Sequence, residues 1–98
     1  MTATATDGSG DKVQISWTST SMKINGGYAY WQSGGLLYNT VDLGSIVSVV
    51  INPTNDKLTT TIGSTQKPTT AVEGGGYFQI KASGTVSSTE SITVTFEK

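Results

Sequence analysis

The stretch Ile92-Thr93-Val94-Thr95-Phe96-Glu97 decides the fold class of this 98-residue chain. Successive side chains of a β-strand point to opposite faces of its sheet. Ile92, Val94 and Phe96 would therefore face a core, while the polar residues between them would face solvent. The stretch predicts a strand with one buried face.

The same two-residue period returns along the chain, whereas helical periodicity does not. Residues 12–17 and 77–82 alternate as cleanly, and we expect further strands at 21–24, 28–31, 36–39, 46–51 and 58–62. Asn25-Gly26-Gly27 and Ser33-Gly34-Gly35 are predicted reversals, because Gly and Asn tolerate positive φ. The sequence predicts an all-β, antiparallel β-sandwich, jelly-roll-like, of about eight short strands.

Residues 46–51 are apolar on both predicted faces. Ile46 and Val50 would face one way, and Val47, Val49 and Ile51 the other. Two apolar faces are typical of a central strand that is covered on both sides. We expect another part of the chain to supply the cover, and a contact between molecules is the alternative.

The chain contains no His and no Cys. His is the side chain whose ordinary pKa lies nearest neutrality, and Cys is the best protein nucleophile at that pH. The seven carboxylates show no spacing that selects a glycosidase pair. We therefore expect the protein not to be an enzyme.

Charge and hydropathy narrow the choice of partners. The six basic residues are scattered lysines, the net charge is −1, and Arg is absent, so we expect no nucleic-acid binding. The longest apolar run is too short to span a bilayer, so we expect no membrane insertion. Only 13% of residues are charged and Thr is abundant, as in extracellular β-domains and virion proteins.

Residues 1–11 are predicted to be a flexible N-terminal leader, and residues 12–98 a single β-sandwich domain.

Three motifs together carry a resemblance to a known family. They are Tyr28-Ala29-Tyr30-Trp31-Gln32-Ser33-Gly34-Gly35-Leu36-Leu37-Tyr38-Asn39 with Asp42-Leu43-Gly44-Ser45-Ile46, then Gly76-Tyr77-Phe78-Gln79-Ile80-Lys81, and Ser88-Thr89-Glu90-Ser91-Ile92-Thr93-Val94. Across about residues 12–97 the chain resembles a jelly-roll accessory module of secreted multidomain bacterial proteins. The resemblance implies an extracellular, non-catalytic, carbohydrate-binding-like β-sandwich.

Aromatic residues are the best candidates for a ligand site, because sugar C–H groups pack on aromatic faces while sugar hydroxyls seek polar side chains. Tyr28 and Tyr30 would share one strand face opposite Trp31, so one strand cannot present all three. The favoured alternative is that Trp31 fills the core and leaves the two tyrosines half exposed. Tyr77 is out of phase with its apolar neighbours and is expected to be exposed. The candidate ligand-binding residues are Tyr28, Tyr30, Trp31, Gln32, Asn39 and Tyr77.

Asp7, Ser9 and Asp11 place oxygen ligands at alternate positions near the start of the sequence. Such spacing suits calcium, although the segment departs from the EF-hand pattern at Lys12 and Thr18. A solvated leader is the alternative interpretation. No cofactor other than this structural calcium is expected.

Two functions of different classes remain. One is an extracellular or cell-surface module that binds carbohydrate or a surface polymer through exposed aromatics. The other is a structural, self-assembling protein that forms a homo-oligomer, such as a virion decoration or fibre domain or a surface subunit. In that case the aromatics and residues 46–51 would make subunit contacts.

Overall fold

The computed structural model describes the backbone of residues 2–7 and 12–97, and the side chains of residues 4–7 and 13–97. Nine strands lie in this described part of the chain. They are β1 (Thr2–Thr6), β2 (Lys12–Val13), β3 (Trp17–Asn25), β4 (Tyr28–Asn39), β5 (Ser45–Asn52), β6 (Leu58–Gly63), β7 (Tyr77–Ala82), β8 (Val86–Thr89) and β9 (Ser91–Glu97).

The strands form two sheets packed face to face. Sheet I has the order β2-β1-β9-β5, and sheet II has the order β3-β4-β7-β6, with β8 also paired to β4. Apolar residues of both sheets fill the space between them, among them Trp31, Leu37, Phe78, Ile80, Ile92, Val94 and Phe96. The all-β sandwich predicted from the sequence is confirmed. None of the described residues belongs to a helix long and apolar enough to cross a membrane.

Strand β1 corrects the expected leader. Thr2–Thr6 pairs in parallel with β9, from Thr2 opposite Ser91 to Thr6 opposite Thr95. Ala5 is buried in the core, so this segment belongs to the sandwich. Met1 and residues 8–11, which also belong to the predicted leader, lie outside the described part. The Ala and Thr alternation of residues 2–6 is the same period-two signal as elsewhere, with a smaller apolar side chain.

Strand β4 runs through the reversal predicted at Ser33-Gly34-Gly35. Its register with β3 passes from Leu36 opposite Thr20 to Trp31 opposite Met22, so four residues of β4 bulge against Ser21 alone. Gly34 and Ser21 have positive φ values of 84° and 51°. A Cβ on Gly35 would stand 2.7 Å from the Ser21 carbonyl oxygen. The glycines here permit a bulge, whereas Gly26 and Gly27 make the real hairpin turn.

Strand β5 is an edge strand of sheet I, and the prediction of a central strand is wrong. The register with β9 shifts between Ile46 and Ser48. This bulge brings Ile46, Val49 and Ile51 to the core side, opposite Phe96, Val94 and Ile92. Val47 and Val50 are left 60% and 53% exposed, so the expected intramolecular cover of the second face is absent from the described residues.

Two other boundaries differ from the prediction. Residues 14–16 separate β2 from β3, so the alternating stretch at 12–17 is not one strand. Its side chains still alternate in burial, with Val13, Ile15 and Trp17 partly buried against the core. Strand β8 was not predicted, because Ser and Thr dominate Val86–Thr89.

Candidate functional site

The solvent-facing side of sheet II carries the exposed tyrosines. Tyr28 and Tyr30 are 50% and 44% exposed, and Gln32 on the same strand is also exposed. Between them Ala29 and Trp31 point into the core with no accessible surface. The alternation predicted from the sequence therefore holds at this end of β4, and it places both phenol rings in solvent.

The neighbouring strand β3 completes this surface with polar groups. Lys23 lies opposite Tyr30 and Asn25 lies opposite Tyr28 in the β3–β4 register. We call Lys23, Asn25, Tyr28, Tyr30 and Gln32 the tyrosine face. A shallow cavity of about 150 Å³ adjoins it, lined by Ser21, Met22, Lys23, Tyr30 and Gln32. We call this the Tyr30 cavity.

Trp31 is a core residue and not part of the ligand site. Its indole Nε1 donates a hydrogen bond to Thr89 Oγ1 at 3.0 Å, and both side chains are buried. The interpretation of Trp31 as a binding residue is corrected, because neither its ring nor its N–H can reach solvent.

Asn39 is likewise removed from the candidate site. Its Nδ2 donates to the Val41 and Gly76 carbonyl oxygens at 2.8 and 2.9 Å, and its Oδ1 accepts from the Phe78 N–H at 2.7 Å. With no exposed surface, this side chain ties the end of β4 to the start of β7. Its amide is fully used within the protein.

Tyr77 is half-buried rather than exposed, and it lies at the start of β7 opposite Gly63. It does not belong to the tyrosine face, which is built on β3 and the first half of β4. Of the six predicted ligand-binding residues, the structure brings together Tyr28, Tyr30 and Gln32 on one surface.

Sheet II has a second depression further along β4. It measures about 380 Å³ and is lined by Gly34, Leu36, Lys67, Thr69, Gln79 and Lys81. We call it the lysine cavity. Leu36 pairs with Lys81 across β4 and β7. The Lys67 Nζ stands 5.4 Å from the centroid of the half-buried Tyr38 ring, within the range of a cation–π contact.

Sequence reasoning missed Lys23 and Asn25, although the sequence contained the signal for them. A two-residue turn at Gly26-Gly27 pairs Asn25 with Tyr28, and counting outward then pairs Lys23 with Tyr30. No comparable local signal existed for Lys67, because a loop brings it over Tyr38 from a distant part of the chain.

The proposed calcium ligands cannot be assembled into a site from the described residues. Ser9 and Asp11 lie outside the described part, whereas Asp7 lies inside it. In residues 2–7 and 12–97, no group of three or more acidic side chains is arranged to hold a metal ion. The calcium site therefore stays a prediction.

Comparisons with protein-family models, curated proteins and solved structures found no match to the chain. The resemblance to a jelly-roll accessory module accordingly stays a prediction from the sequence motifs.

Proposed function

We propose that this protein is a non-catalytic binding module that attaches to carbohydrate or a cell-surface polymer through the tyrosine face. The observation that carries the proposal is the pair of exposed rings, Tyr28 and Tyr30, side by side on one strand. The setting is extracellular or the cell surface. The absence of His and Cys supports a role in binding rather than catalysis.

The spacing of the two rings suits an extended polymer. Residues two apart on a strand are separated by about 6.5 Å, so one flat chain can lie across both tyrosines. Aromatic rings offer a large contact area at little cost in side-chain entropy. The side chains of Asn25 and Gln32 offer amide donors and acceptors to hydroxyl groups beside the rings.

The strand that carries the two tyrosines is anchored in the core. Its Ala29 and Trp31 are buried there, and Trp31 is bonded to Thr89. A rigid platform loses little conformational entropy on binding, which favours affinity.

The proposal is tested by co-sedimentation with cellulose, chitin, xylan and cross-linked polygalacturonate, followed by titration with the soluble oligosaccharide of any polymer that binds. Replacing both tyrosines, Tyr28→Ala with Tyr30→Ala, should weaken binding about 30-fold, at about 1 kcal/mol for each ring. The matched control is Val50→Ala, which removes an exposed apolar side chain from sheet I. Binding to none of the four polymers, or binding that survives the double substitution, overturns the proposal.

A second candidate function is self-assembly, in which a further copy of the chain adds to strand β5, as in a virion decoration or fibre domain. The observation that favours it is the edge position of β5, whose eight residues include no charged side chain and no Pro. Edge strands that avoid pairing usually carry such residues. Val47 and Val50 are exposed on this strand, and Val72 is exposed near its start.

Sedimentation velocity over a concentration series tests this candidate. Assembly through β5 predicts a defined oligomer or continued growth that Val50→Lys abolishes, whereas Thr20→Lys on exposed β3 leaves it unchanged. A monomer at every concentration removes the candidate and leaves the binding module.

A further inference from the structure

The two sheets differ in charge although the whole chain is close to neutral. The five strands of sheet II contain Lys23 and Lys81 and no Asp or Glu. The acidic residues of the described chain lie in loops, in turns or in sheet I. They are Asp7, Asp42, Asp56, Glu73, Glu90 and Glu97. The charged side chains within the strands of sheet II are therefore all positive, although the exposed Glu90 directly follows β8.

The positive groups lie beside the two cavities along β4. Lys23 lines the Tyr30 cavity, and Lys67 and Lys81 line the lysine cavity. No carboxylate lines either cavity. Half of the six lysines are thus gathered on the outer face of one sheet, with no acid among the lining residues to neutralise them.

The two cavities adjoin along the same strand. Gln32 lines the first and Gly34 lines the second, so along β4 only Ser33 lies between them. Gly34 is exposed, and a Cβ built on it would meet no atom within 4 Å. No side chain at position 34 therefore blocks the path between the two cavities. A polymer lying over the tyrosines can continue past Gly34 toward Lys67 and Lys81.

The tyrosine rings and the lysine ammonium groups could bind different parts of a single sugar polymer. Aromatic rings pack on the C–H faces of sugars, and ammonium groups attract carboxylates. A carboxylated sugar chain presents both chemistries in every unit. A neutral sugar chain would leave three lysines without a role in the contact.

We propose that the outer face of sheet II binds an acidic, uronate-bearing polysaccharide along β4, with Tyr28 and Tyr30 under the sugar rings and Lys23, Lys67 and Lys81 facing its carboxylates. This inference rests on the proposed function and specifies its ligand class. Nucleic acid is the other common polyanion. Two features favour the sugar polymer: the positive groups are all lysines, with no bidentate Arg, and the two tyrosines lie two residues apart on β4.

The test compares two polymers that share a backbone, polygalacturonate and its fully methyl-esterified form. Binding is measured by calorimetry at low salt and at about 0.15 M salt, where the Debye length is about 8 Å. Wild-type protein should bind the acid at least tenfold more tightly than the ester, and salt should weaken only the acid complex. An exposed ion pair contributes up to about a fivefold change in affinity.

Substitutions then separate charge from aromatic contact. The triple variant Lys23→Gln, Lys67→Gln and Lys81→Gln should lose the preference for the acid and keep the affinity for the ester. Lys57→Gln is the matched control, because it removes one positive charge from a residue that lines neither cavity. Tyr28→Ala with Tyr30→Ala should weaken binding to both polymers by the same factor. Thermal unfolding of each variant checks that the fold is retained.

The outcomes distinguish the two proposals. Equal, salt-insensitive binding to acid and ester that still needs the tyrosines overturns the acidic ligand and keeps the binding module. Binding to neither polymer overturns the acidic ligand, and if cellulose, chitin and xylan also fail, it overturns the module as well. Single-stranded DNA is the last comparison. If it binds as tightly as polygalacturonate and does not need the tyrosines, charge alone accounts for binding and the assignment to a sugar polymer is overturned.

Discussion

The indole Nε1 of Trp31 donates to Thr89 Oγ1 across 3.0 Å inside the sandwich, joining β4 to β8 directly beneath the exposed tyrosines. Trp31 follows Tyr30 in the chain, yet one is in the core and the other in solvent. The hydrogen bond satisfies the one polar atom of a large buried ring. It also fixes the strand on which the tyrosine face is built.

Thr89→Val should destabilise the protein by about 1–3 kcal/mol, because the substitution keeps the shape of the side chain and leaves the buried indole N–H without an acceptor. Thr89→Ser keeps the hydroxyl group and should lose less. The free energy of unfolding is measured by urea denaturation, with Thr20→Val at an exposed position of β3 as the control. A Val variant as stable as the Ser variant would show that the hydrogen bond contributes little.

Asn39→Ala should be more damaging than its size suggests. The substitution removes the acceptor of the buried Phe78 N–H and two donors to carbonyl groups. Each buried polar group left unpaired costs about 1–3 kcal/mol. Asn55→Ala is the control, since the Asn55 Oδ1 accepts a single exposed bond from the Lys57 N–H. Similar midpoints for the two variants in thermal unfolding would contradict this role for Asn39.

Gly75→Ala should prevent or strongly weaken folding. A Cβ at this position would overlap the backbone of Gly63, which has no flexible side chain to move away. Overpacking typically costs about 1–3 kcal/mol, and backbone overlap lies at the upper end or beyond. Gly27→Ala, where a Cβ meets nothing within 4 Å and the backbone is not left-handed, should change stability by less than about 0.5 kcal/mol. An unchanged melting temperature for Gly75→Ala would show that the 74–76 loop can move off β6.

Phe96→Ala should cost about 3–5 kcal/mol, as truncation of a large buried aromatic does. Phe96 is buried on β9 opposite Ile46. Val50→Ala on the neighbouring strand removes a side chain that is 53% exposed and should cost far less. Circular dichroism during heating measures both. Equal losses would contradict the assignment of β9's apolar residues to the core.

Part of the candidate site could be predicted by counting residues along the strands and outward from the turn that joins them. The alternation of β4 places Tyr28 and Tyr30 on one face, and the Gly26-Gly27 turn sets Lys23 and Asn25 beside them. Trp31 and Asn39 illustrate the limit of that reasoning. Period two says which face a residue takes, but only the second sheet and the loops decide whether that face is buried.

Bulges are a second limit on predicting strand faces from the sequence. An unbroken period in β5 would place Val49 and Ile51 on the side of Val47, whereas the shift between Ile46 and Ser48 moves them to the side of Ile46. Bulges depend on pairing with a partner strand, so no local pattern announces them. The same holds for Ser33-Gly34-Gly35, where glycine allowed either a turn or a bulge, and pairing with β3 selected the bulge.

The sequence by itself determined the class of this protein: an all-β sandwich, with Ile92, Val94 and Phe96 on one face of a strand and Tyr28 and Tyr30 on a common face of another. Alternation determines these features, because it acts through the geometry of a single strand. Only the tertiary structure decided that Thr2–Thr6 pairs with β9, that Trp31 is sealed beside Thr89, and that Lys23, Lys67 and Lys81 share the outer face of one sheet. These relations join residues far apart in the chain, and long-range strand pairing and loop packing alone bring such residues together.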